Sequence, residues 1–77
     1  MEELLGSILL LPYTFAPQGT LMCDGATLNI MNYQALFSLI GTNFGGDGKT
    51  NFALPKLTAP TGLHYVIVTE GIYPSRP

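Results

Sequence analysis

Charge is scarce in this chain. Lys and Arg number three and Asp and Glu five among 77 residues, 10% in all, against about 25% in an ordinary soluble domain. The net charge of −2 and the scattered Lys49, Lys56 and Arg76 make no basic patch, so neither nucleic acid nor a membrane surface is expected as a partner. Cysteine occurs once, at Cys23, which excludes an internal disulfide framework. Cys23 reads as a small buried strand residue, the alternatives being a disulfide between chains or a reactive thiol. Histidine also occurs once, at His64, without the paired Cys or His spacing of a metal site. Ser7, Ser38 and Ser75 sit in no GxSxG context. No catalytic, cofactor-binding or metal-ligating residue is therefore assigned, and an enzyme is not expected. No apolar run approaches the ~20 residues needed to span a bilayer. Glu2 and Glu3 stand where a secretion signal would be basic, so no signal peptide is recognised.

What remains is apolar. Hydrophobic residues make up 47% and mean hydropathy is +0.32. With so few charges on one small domain spanning residues 1–77, much neutral surface is left over, and copies of the same chain are the expected cover.

The clearest pattern lies in residues 32–55. Tyr33, Leu36, Phe37, Ile40 and Phe44 follow helical spacing, and Met31, Ala35 and Leu39 widen the stripe. Such a helix should be surrounded by protein on most sides. Asn29 and Asn32 compete as its cap, and Gly41 is its natural stop. The following GGDGKT resembles the end of a phosphate loop, but position 43 is Asn where the Walker spacing needs glycine. The helix also precedes the motif instead of following it. Gly45, Gly46, Asp47 and Gly48 read instead as a tight turn that returns Phe52 and Leu54 to the helix.

Residues 4–13 read as a first strand and 63–69 as a last one, antiparallel partners of each other. Pro17 and Gly19 mark a turn, and residues 20–23 a short strand. Asp24-Gly25 signals a hairpin. The tail from Gly71 onward is extended, pinned by Pro74 and Pro77. The fold expected is α+β: a small antiparallel sheet, from the terminal strands plus a hairpin, packed on one buried helix. The centres Ile8, Leu9, Leu10, Leu11 and Tyr65, Val66, Ile67, Val68 are apolar on both faces. One helix covers one face of a sheet, so these eight, with Ile72 and Tyr73, are the expected subunit interface.

The runs Phe15-Ala16-Pro17-Gln18-Gly19, Cys23-Asp24-Gly25, residues 35–41, Gly45-Gly46-Asp47-Gly48 and Phe52-Ala53-Leu54-Pro55 together resemble the phage tail collar domain of short tail fibres and microcystin-dependent bacterial proteins. The ending, residues 70–76, is similar to the bacterial members. Two features depart from that pattern. Thr20 stands where the family carries tryptophan, and the long insert after Leu54-Pro55 is missing. The resemblance implies a structural, self-assembling subunit of an extracellular or phage-tail-like fibre or filament. The alternative it leaves is a trimeric adhesive module that binds a receptor or cell-surface glycan. Filament and closed trimer both remain open.

Overall fold

The computed structural model describes residues 3–74. Five short strands and one helix follow in order: β1 (Ile8–Leu11), β2 (Thr20–Met22), β3 (Thr27–Asn29), α1 (Gln34–Ile40), β4 (Asn51–Ala53) and β5 (His64–Val68). They form two antiparallel sheets, β1-β5-β2 and β3-β4. The fold is thus a small α+β one, and the first and last strands pair antiparallel as expected, with Leu9 opposite Val66 and Leu10 opposite Tyr65.

The expected hairpin at Asp24-Gly25 does not form. β2 pairs with β5 and β3 with β4, so Asp24 and Gly25 carry the chain from one sheet to the other. The Asp24 carboxylate accepts from the Ala26 N–H at 2.9 Å, and Asp24 forms an isolated bridge with Lys56. Local turn chemistry is satisfied, while the strand partners are chosen by burial across the whole chain.

α1 is shorter and more exposed than its apolar stripe suggests. Of its seven residues only Leu36 is buried. Met31 lies before it, 78% exposed, and Phe44 beyond it, 49% exposed. Asn29, not Asn32, is the capping asparagine: its Oδ1 accepts from the Met31 N–H at 2.8 Å and starts a 3-10 turn at Ile30–Asn32. Tyr33 then precedes α1 without a side-chain cap, and Gly41 ends the helix, its N–H bonded to the Phe37 carbonyl.

The core joins Leu5, Cys23, Leu36, Phe52, Leu54 and Ile67. Phe37 and Phe52 meet at 5.4 Å between ring centroids, so the glycine turn does bring β4 back against the helix. Two backbone devices hold the β1 side. Gly6, at φ 86, donates to the Val68 carbonyl while Val68 donates to Ser7. Two residues thus face one, a bulge of the type that needs a positive φ at its first residue. Beyond it Leu5 donates to the Ile72 carbonyl and Ile72 to that of Glu3, which clasps both ends of the described chain into a parallel bridge at Leu4 and Ile72.

Candidate subunit interface

Residues opposite one another in a ladder share a face. Ile8, Leu10, Leu21, Tyr65 and Ile67 therefore lie on one side of the β1-β5-β2 sheet, and Leu9, Leu11, Thr20, Met22, Val66 and Val68 on the other. The first side is the helix side, because Ile67 belongs to the core with Leu36.

The expected interface divides sharply. Val66, Ile67 and Val68 are only 1–2% exposed, buried within their own chain and withdrawn from any surface between copies. Tyr65 is half-buried and packs on the core. The expectation failed because it counted only helices as cover. β5 is the central strand, so side chains of β1 and β2 flank it on both faces. On the side away from the helix, Tyr13 and Pro17 also stand beside it.

What stays open belongs to β1 and its neighbours. Ile8 and Leu10 are each 43% exposed, on the helix side of the sheet; Leu4, Ile72 and Tyr73 are about half exposed as well. Leu9 and Leu11 are half-buried. Tyr73 is held in place, its hydroxyl 2.7 Å from Ser38 Oγ on α1. Val68 donating to Ser7 fixes the phase of the ladder. Bonded and non-bonded pairs alternate, so Leu9 and Leu11 turn their backbone groups toward β5, and Ile8 and Leu10 turn theirs outward. Among the described residues nothing pairs with this outer edge. Edge strands are usually blunted by Lys, by Pro or by a covering element; Ile8–Leu11 holds neither residue, and only Pro12 closes its end.

A second surface lies on the opposite side. Leu9, Leu11 and Val68 floor a groove of about 310 Å³, with Tyr13 and Pro17 beside them and Glu3 and Glu70 at its margin. Tyr13 stacks on Phe15 at 5.5 Å. Its rim depends on the turn that Gly19 completes, where Thr20 bonds back to the Pro17 carbonyl at 3.0 Å and Thr69 and Glu70 both donate to the Gly19 carbonyl. Neither the groove nor the clasp at Leu4 and Ile72 was visible in the sequence.

The remaining candidates are turns and core. Asp47 Oδ1 accepts from the backbone N–H groups of Lys49, Thr50 and Asn51, and its Oδ2 from the Thr50 hydroxyl. The Thr50 N–H first, then those of Lys49 and Asn51, hold its carboxyl well below the usual carboxylate range. Gly45, Gly46 and Gly48 all take positive φ around it. The amides that a phosphate would need are thus already used. Cys23 is buried, and that burial, with the charge of Asp24, pushes its thiol pKa up. His64 is half-buried in β5. Among the described residues no three His, Cys, Asp or Glu side chains cluster as metal ligands, and no helix is long and apolar enough to cross a membrane.

The family model for the phage tail collar domain matches residues 6–61. The chain belongs to the phage tail collar domain family. No curated protein and no solved structure matches it. Collar membership points to a structural role in a phage-type tail, in a family that is structural and not known for enzymatic chemistry. The matched span takes in β1, β2, β3, α1 and β4 and stops before β5. The outer edge of β1 is therefore part of the collar unit, while its inner partner is supplied from outside the matched span.

Proposed function

We propose that this collar domain is a non-enzymatic subunit that assembles with copies of itself into a fibre or filament, on a virion tail or an extracellular appendage. The observation that carries the reading is the outer edge of β1, where apolar side chains and outward backbone groups stand together. Fully burying one such aliphatic side chain contributes about 1.5–3 kcal/mol. Ile8 and Leu10, left half exposed, forgo much of this in an isolated chain. A strand of a neighbouring copy laid along the edge would recover it and satisfy the backbone as well. If the contact closes on itself the product is a ring or trimer; if it does not close, a filament.

The test is Leu10→Lys. Leu10 faces outward and Leu9 does not, so the charge falls on the edge and not in the groove. Light scattering at micromolar concentration should give a mass well above 8.3 kDa for the wild type and smaller species for the variant, with circular dichroism unchanged. A folded wild-type monomer would remove the structural-subunit reading and favour a receptor- or glycan-binding module, for which the exposed Tyr13–Phe15 stack is the one supporting feature.

A further inference from the structure

We infer that the groove beside Tyr13 binds residues 74–77 of a second copy, so that assembly uses two contacts and not one. This inference rests on the self-assembly reading but on a different surface. The groove is apolar along Leu9, Leu11, Tyr13 and Pro17, and two carboxylates, Glu3 and Glu70, stand at its margin. Neither carboxylate is bonded to another side chain among the described residues. Residues 74–77 read Pro-Ser-Arg-Pro. Prolines at the first and fourth positions favour a polyproline II helix, whose three-residue turn sets both on one face. Such a segment loses little entropy on docking and is recognised by grooves lined with aromatic rings. Arg76 lies between the prolines, and an arginine pairs with a carboxylate by two parallel hydrogen bonds. Of the chain's three lysines and arginines, Arg76 is the one with a proline two residues before it and another directly after it.

The occupant comes from another copy because of where Tyr73 stands. Its hydroxyl is bonded to Ser38 on the helix side of the sheet, whereas the groove opens on the other side, with Leu9 and Val68. Each chain thus offers its groove on one side and holds Tyr73, the residue before the Pro-Ser-Arg-Pro run, on the other. That arrangement is head-to-tail, and it propagates unless the rotation between copies closes.

The test uses the L10K variant, whose edge contact is weakened while its groove is untouched. A labelled peptide of residues 71–77 is titrated into it by fluorescence polarisation. Saturable binding is expected, weakened about tenfold or more when Arg76 of the peptide is Glu or when the protein carries Glu70→Arg, a factor of ten being the scale of one lost charged contact. Binding should recover when both reversals are combined, and it should weaken with added salt. Absence of saturable binding at millimolar peptide, or equal binding of the reversed peptide, overturns the inference. So does displacement of chemical shifts at Tyr13 and Leu11 by a neutral oligosaccharide but not by the peptide. The two readings fail separately: dissociation by L10K without peptide binding leaves the edge contact standing, and peptide binding with no effect of L10K on mass leaves only the groove.

Discussion

Asp47 shows how a single exposed carboxylate organises a loop. Three backbone N–H groups and one hydroxyl converge on it, so the charged form is favoured in the folded chain and its pKa is depressed. A group depressed on folding adds stability above its unfolded pKa, near the ordinary 3.8. That stability is lost as pH falls below that value toward the folded pKa. The denaturation midpoint should therefore drop on acidification below about pH 4, and Asp47→Asn should flatten that part of the profile. Titration calorimetry should detect no ATP; binding that Lys49→Ala abolishes would reverse the structural reading of this loop. Gly46 is the loop's least replaceable residue. At φ 97, an added Cβ would stand 2.9 Å from the Asn51 carbonyl oxygen and against the Phe52 backbone. Gly46→Ala should cost at least ~1–2 kcal/mol, read as a lower urea midpoint at unchanged slope. At Cys23, burial and a raised pKa act together. A thiol reagent should label it slowly until the chain is denatured, and Cys23→Ser should leave assembly intact.

At the scale of elements, α1 is anchored by one fully buried side chain, with Phe37, Leu39 and Ile40 packed partly buried against the core. Leu36 is its one buried side chain, so Leu36→Ala should cost ~2–5 kcal/mol, while Ala35 or Gln34 substitutions should fall within ~0.5 kcal/mol. Calorimetric melting of the two sets would show the contrast. The same element marks what the sequence made legible. Its existence, its stop at Gly41, the turn at residues 45–48 and the β1–β5 pairing all rest on local signals or on strongly apolar runs. Its burial was overread, because apolar periodicity reports what a helix is able to bury and not what a 77-residue chain has left to cover it. The Asp24-Gly25 hairpin was misread for the complementary reason. A two-residue turn signal says that the chain bends, and the choice of partner belongs to the sheet that buries β5 on both edges. The clasp of Leu4 to Ile72 and the Ser38–Tyr73 bond join residues far apart in the chain, with no periodicity to announce them. Of the candidate interface, Ile8 and Leu10 are exposed at the sheet edge, and Val66, Ile67 and Val68 are buried within the chain. A doubly apolar strand is ambiguous between the centre of a sheet and its edge.

The whole molecule is poor in charge and rich in half-exposed apolar side chains around one sheet edge. Its apparent stability should therefore depend on its own concentration, since association removes folded chains from the unfolding equilibrium. Tm should rise with protein concentration for the wild type and stay level for L10K; a flat wild-type response would count against assembly. Residues 56–62 have a different consequence. They leave the sheet at the Asp24–Lys56 bridge and return through the turn in which Leu63 bonds to Pro60, and most of them are exposed. Both ends of the loop are anchored independently of its length, and doubling a flexible loop costs only ~0.6 kcal/mol. A foreign epitope spliced between Thr58 and Pro60 would thus be carried at little expense to folding, and if the domains assemble as proposed, every copy in the array would display it.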